Sequence, residues 1–205
     1  MGETPVRIAG KDVVLEGRER MVAGSTKGVV VTHPHPLYGG NMDNQVVRQI
    51  ADTFYKNGFS TLRFNFRGTG EGTGNFDDGA GEQDDVHAAL DYFRGRNITA
   101  LFLAGYSFGA WVNAHAVDAG ASVDGHIMVS PPVNFLAFDD VQDLSRTGLI
   151  VTGEYDDIAP ADQIRHMIEL SDANPDLRVL AGCDHFYAAG ALDRLGQCIH
   201  TYLNL

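Results

Sequence analysis

Six short apolar runs, separated by helical patterns, set the strongest limit on how this chain can fold. The runs cover residues 28–32, 60–65, 100–104, 125–130, 147–152 and 177–181. They are nearly continuously apolar, as strands covered on both faces must be. Residues 44–56 place Val46, Val47, Ile50, Ala51 and Phe54 on one helical face, closed by Gly58. Residues 81–94 do the same with Val86, Ala89, Leu90 and Phe93. Further helices are expected over 108–119, 161–171 and 191–203. Strand then helix, repeated, implies parallel strands joined by right-handed crossovers. The expected fold class is α/β: a doubly wound, mostly parallel sheet with helices on both faces. An N-terminal antiparallel hairpin is expected from 13–15 and 20–23, turned at 16–19. In such sheets the site lies at the carboxyl ends of the strands.

The 205 residues contain no repeat or linker, so one domain spanning 1–205 is expected. A net charge of -12 repels nucleic-acid phosphates and anionic lipids, which excludes both as general partners. No apolar run approaches the roughly 20 residues of a membrane helix. Met1-Gly2-Glu3-Thr4-Pro5 has no basic start followed by an apolar stretch, so a cytoplasmic location is expected. Two cysteines, Cys183 and Cys198, make neither a disulfide framework nor a metal knuckle.

The strand over 100–104 runs into Gly105-Tyr106-Ser107-Phe108-Gly109 and then a helix. A serine on so sharp a strand-to-helix turn has a strained backbone. Small residues two before and two after remove the clashes a Cβ would cause. The turn exposes the Ser107 hydroxyl and sets the Phe108 N–H at a helix start, where it can stabilise an oxyanion. The bland alternative is an ordinary turn with a capping serine.

A serine hydroxyl needs a histidine to take its proton, and the histidine needs a carboxylate to orient it. On this fold the order is Ser, then Asp or Glu, then His. His115, His166 and His200 sit in helical patterns and His126 in a strand. His185 stands in a loop, Gly182-Cys183-Asp184-His185-Phe186, just past the last strand. It is the expected base. Asp156 and Asp157 follow the strand over 147–152. Pro160 suits the first turn of the next helix, which leaves Asp157 nearer its start. Asp156 is assigned to the triad, with Asp139 and Asp140 as alternatives.

Residues 33–40, His-Pro-His-Pro-Leu-Tyr-Gly-Gly, follow another strand and can supply a second oxyanion N–H. Pro34 and Pro36 have no N–H. Leu37 is the first choice, followed by His35 and Tyr38. His33 and His35 lack a third ligand at a matching position, so no metal is expected. Residues 65–74 are glycine-rich but lack Gly-Lys-Ser/Thr, so they are read as a flexible wall of the substrate cleft. Arg67 in that wall pairs with a nearby carboxylate or with an acidic substrate group.

Residues 33–44, Asn65-Phe66-Arg67-Gly68, Gly105-Tyr106-Ser107-Phe108-Gly109 and Asp184-His185-Phe186 together resemble the α/β-hydrolase superfamily. They are most similar to a small bacterial serine hydrolase branch related to dienelactone hydrolases and carboxylesterases. The resemblance spans nearly the whole chain. It implies Ser107, Asp156 and His185 as triad, an esterase-like activity and no cofactor. Dienelactone hydrolases proper use a cysteine nucleophile, and the serine at 107 argues against that reaction. No segment is long enough for a large cap or lid; 130–138 is the one modest candidate flap. The expected activity is hydrolysis of small-molecule carboxylic esters through an acyl-enzyme. A thioesterase, peptidase or acyltransferase would use the same triad, and a binding protein could keep the fold without it.

Overall fold

A period-two pattern of burial opens the chain and shows how the sheet begins. The computed structural model describes residues 2–171, 173–188 and 190–204; Met1, Asp172, Ala189 and Leu205 lie outside the described residues. Strand β1 (Thr4–Ala9) pairs antiparallel with β2 (Val14–Arg20), Ala9 opposite Val14 and Thr4 opposite Glu19. The hairpin turns at Gly10–Val13, where the Gly10 N–H donates to Val13 O and Asp12 has φ 59. The hairpin expected at 16–19 is therefore displaced. Those residues lie inside β2, where Leu15, Gly17 and Glu19 are buried and the alternate positions half-buried. A charged run reads as a turn, yet the half-buried face of a strand accepts Glu16, Arg18 and Arg20, and Glu19 on the buried face accepts from the Tyr92 hydroxyl at 3.0 Å.

Six more strands complete one sheet: β3 (Lys27–Thr32), β4 (Ser60–Phe64), β5 (Ala100–Tyr106), β6 (Gly125–Val129), β7 (Thr147–Gly153) and β8 (Asp176–Leu180). Their spatial order is β1-β2-β4-β3-β5-β6-β7-β8. β2 runs antiparallel to β4, and every later pairing is parallel. All five residues of β4 and of β6 are buried, the polar Ser60, Thr61, Arg63 and His126 among them.

The helices divide between two faces. Helices α1 (Gln45–Lys56) and α5 (Ala191–Leu203) share a core with Val29, Val31, Ala104, Ile127 and Val129. Helices α2 (Ala80–Arg94) and α3 (Phe108–Asp118) pack on Val30, Leu62, Phe64, Leu101 and Leu103. α4 (Ala161–Glu169) joins α3 over Met128 and Ile150. Successive residues of a strand thus feed opposite cores, which is the doubly wound arrangement. α1 starts where the Asn44 side chain accepts from the Val46 N–H at 2.8 Å. Among the described residues no helix is long and apolar enough to cross a membrane.

Candidate active site

The carboxyl ends of β5, β7 and β8 carry three side chains that meet. Ser107 follows β5 with φ 55 and ψ -121, a conformation few non-glycine residues adopt. The turn is held because the Ser107 N–H donates to Val129 O at 2.9 Å. Its glycines are sterically obligatory. A Cβ on Gly105 would sit 2.6 Å from the Ala110 nitrogen, and one on Gly109 would sit 2.7 Å from His33 O. The helix start thus lies against both its own strand and the end of β3.

His185 lies beyond β8 in a tightly tied loop. The Asp184 carboxylate accepts from the Phe186 N–H at 3.1 Å, and the His185 carbonyl accepts from the Tyr106 hydroxyl at 2.8 Å. Burial, reinforced by the charge of Asp156, raises the pKa of Tyr106 and keeps its hydroxyl a donor. The His185 Nε2 stands 3.0 Å from the Ser107 Oγ, and Nδ1 stands 2.9 Å from each Asp156 oxygen. A carboxylate only accepts, so Nδ1 carries the proton and Nε2 is free to accept one. All three residues are buried.

Asp156 is fixed from below. Its Oδ1 also accepts from the Ile158 N–H at 3.1 Å and the Ala159 N–H at 2.8 Å. Burial pushes its carboxyl up. The hydrogen bond and charge of His185, with Ser130 and the Ala159 amide, more than offset this and hold it below the usual 3.8. Asp157 is exposed. It does not cap α4, whose N-cap is Pro160; its carbonyl accepts from Asn134 Nδ2 at 3.0 Å. Ser130 and Tyr187 share a buried hydrogen bond of 2.9 Å beside the acid. Sequence reasoning missed Tyr106, Ser130 and Tyr187. The signal for Ser130 was its place at a strand end before two prolines; an ordinary tyrosine carries none.

The loop after β3 departs from expectation. Residues Pro36–Tyr38 form one turn of 3-10 helix, and the Leu37 N–H donates to His35 Nδ1 at 3.3 Å. The Tyr38 N–H donates to His35 O. Leu37 borders a separate cleft with Gly68 and Glu71, whereas His35 and Tyr38 line the cavity at Ser107. The Leu37 amide is thus engaged by His35, and the residue borders another cleft. The Phe108 N–H opens α3, where first-turn amides have no acceptor of their own, and its side chain lines the Ser107 cavity.

His33 is buried and uses both ring nitrogens, accepting from the Phe66 N–H at 3.0 Å and facing Pro34 O at 2.6 Å. Burial lowers its pKa to about 4, so the ring is neutral and Nδ1 is the donor to Pro34. The His35 ring rests against Phe108, with centroids 4.7 Å apart. The glycine-rich segment is not a free wall of this site. Thr73 exchanges two hydrogen bonds with Val14, and Glu71 N–H donates to the Glu16 carboxylate. Arg67 is paired with buried Asp85 at 2.8 Å, the carboxylate alternative of the two considered.

The cavity at Ser107 holds about 320 Å³, lined by His35, Tyr38, Phe108, Pro132, Leu136 and Ile158 among others. Its size suits a small organic group. Residues 130–146 connect β6 to β7 and supply Pro132 and Leu136.

Comparison with known proteins identifies the family and the fold. The family profile described as serine aminopeptidase, S33, matches residues 25–147. An uncharacterized protein of Rickettsia prowazekii (strain Madrid E) is 34% identical over 95% of this chain and 86% of its own. A serine hydrolase homologue from Coxiella burnetii superposes with a TM-score of 0.91 at 31% identity, covering 98% of this chain and 97% of that one. A Xanthomonas campestris protein described as an α/β serine hydrolase without lid gives 0.90 at 30% identity, covering 98% and 94%. With the fold, the turn at Ser107 and these relatives in agreement, the chain belongs to the serine aminopeptidase (S33) family of α/β hydrolases.

Proposed function

We propose that the protein is a carboxylic-ester hydrolase acting on small acyl esters, built as one domain without a large cap. The observation that carries this reading is the continuous chain from Ser107 Oγ through His185 to Asp156, with links of 3.0 and 2.9 Å, opening on an apolar cavity. Ser107 Oγ attacks the ester carbonyl carbon while its proton passes to His185 Nε2. The carbonyl π pair moves onto oxygen. The amides of Phe108 and His35 receive that charge, His35 replacing Leu37 because it borders the cavity. The oxyanion then collapses, the bond to the alcohol oxygen breaks, and Nε2 returns the proton to that oxygen. Water repeats the sequence on the acyl-enzyme, giving the acid and free Ser107. Asp156 keeps the imidazole tautomer and stabilises its cation throughout. A binding protein would have no use for this aligned chain.

The lining of the cavity favours the ester reading over an aminopeptidase. The acyl half of an aminopeptidase substrate bears an ammonium group, for which a neighbouring carboxylate is the natural partner. No Asp or Glu lines the cavity at Ser107 among the described residues. An uncharged acyl group fits it better.

A fluorophosphonate probe should label the folded protein and fail to label Ser107→Ala. Labelling of both alike would remove the serine-hydrolase reading. A panel of p-nitrophenyl esters, matched thioesters and peptide amides then separates the classes, with kcat/KM highest on esters. Preference for amides would favour a peptidase.

A further inference from the structure

Two cavities meet at one short turn. The first, about 320 Å³, contains Ser107; the second, about 580 Å³, lies between residues 133–144 and helix α4. Phe135 and Leu136 border both. Phe135 is 71% exposed, whereas Leu136 is half-buried and packs on the α2–α3 core. Leu136 is therefore the inner part of the partition. The turn that carries it is pinned on two sides. The Leu136 N–H donates to Pro132 O at 2.9 Å, and Asn134 N–H and Nδ2 donate to Ile158 O and Asp157 O. On the other side Trp111 Nε1 donates to Ala137 O at 2.7 Å.

The direction of the substrate follows from proton transfer. The departing alcohol oxygen must come within hydrogen-bond reach of His185 Nε2. His185 does not line the first cavity. With the alcohol half on the His185 side, the acyl half enters the cavity toward Leu136. Beyond Leu136 the second cavity is lined by Val141, Leu144 and Met167 together with the polar Gln142, Gln163 and His166.

We infer that Leu136 sets the acyl-chain length the enzyme accepts, its side chain closing the acyl cavity. The second cavity is the space that longer acyl chains enter once that side chain is cut back. This rests on the ester-hydrolase reading. The test is kcat/KM for p-nitrophenyl esters from acetate to decanoate, with wild type, Leu136→Ala and Leu136→Ala/Met167→Trp. Wild type should decline as the acyl chain lengthens. Leu136→Ala should raise the decanoate-to-acetate ratio at least about tenfold, since each newly buried methylene is worth roughly fourfold. Met167→Trp, filling the second cavity, should return the ratio toward wild type.

An unchanged ratio in Leu136→Ala, with Ser107 still labelled by a fluorophosphonate and acetate still cleaved, overturns the inference and leaves the ester reading intact. If wild type is neither labelled nor active on any ester, the ester reading fails and the inference with it. Should Leu136→Ala not fold, Leu136→Val must shift the ratio in the same direction to a smaller extent; a flat ratio there overturns the inference equally.

Discussion

Asp156 and Asp157 are chemically identical neighbours, yet one is buried against His185 and the other faces solvent. The difference arises in the turn between β7 and α4, where the Ile158 and Ala159 amides draw the Asp156 carboxylate inward. Asp156→Asn keeps the shape but offers Nδ1 a donor or a weaker acceptor, favouring the wrong tautomer. A loss in kcat of about 10⁴-fold is expected, the order seen when the same change is made in a serine triad. Asp157→Asn should alter kcat by less than about threefold, as exposed substitutions do. Measuring both on p-nitrophenyl acetate decides the assignment, and a reversed ranking would sink it. The proposed triad was readable from the residues because each member stands at the end of an apolar run, where few side chains compete. The Pro160 argument picked Asp156, although Asp156 itself, not Asp157, binds the turn's free amides. The engagement of the Leu37 amide by His35 was not legible, because it depends on a local 3-10 turn that one short tripeptide does not announce. Tyr106 was invisible because its partner is a backbone carbonyl 79 residues away.

Elements matter most where they touch. The strand-to-helix turn after β5 is wedged between its own helix and the end of β3, so its glycines are spacing devices. Gly109→Ala would drive a methyl group to within 2.7 Å of His33 O and 2.8 Å of Thr32 C, both backbone. Backbone cannot swing aside as a flexible side chain does. The expected cost is about 1–3 kcal/mol of stability, read from urea unfolding, with a steep fall in fluorophosphonate labelling. A variant of wild-type stability and labelling would show that α3 does not need this close approach. The central strands were legible because burial on both faces leaves nearly apolar runs, whereas β8, expected to be covered likewise, is an edge strand that exposes Arg178 and Val179. The first hairpin was not legible, because β2 buries fully only every second position and its charges imitate a turn. The segment 65–74 was taken for a flexible wall because its glycines suggest freedom. Glu16, Thr73 and Val14 instead tie it to β2, an anchoring made by residues some 50 or more positions apart.

The whole molecule carries two fully buried histidines that its proposed chemistry does not use. Burial lowers the pKa of His33 to about 4 and of His126 to about 3, from an ordinary 6.5. In the folded state both are therefore neutral above about pH 4, while in the unfolded chain both take up protons as pH falls through 6.5. The unfolded state then binds more protons, so stability must fall on acidification across that window. The contribution is present in full above 6.5 and is lost progressively toward the folded-state values. Asp156 acts lower: its carboxyl is held below 3.8, so its contribution persists above that pH and disappears only in stronger acid. Glu82 and Asp85 work in the opposite sense, because burial raises both and acid relieves that cost. A difference measurement isolates the histidines. His126 lies in β6 with Nδ1 at 2.9 Å from Thr147 Oγ1 and no partner for Nε2 among the described residues. His126→Leu removes its titration while leaving the carboxylates in place. Urea unfolding of wild type and His126→Leu at pH 7.5 and pH 5.0 gives four free energies. Wild type should lose about 2 kcal/mol more than the variant over that interval, the linkage value for one histidine moved 1.5 pH units below 6.5. Equal losses in the two proteins would mean that His126 takes up its proton without unfolding, and that the β6 core is wetter than its packing implies.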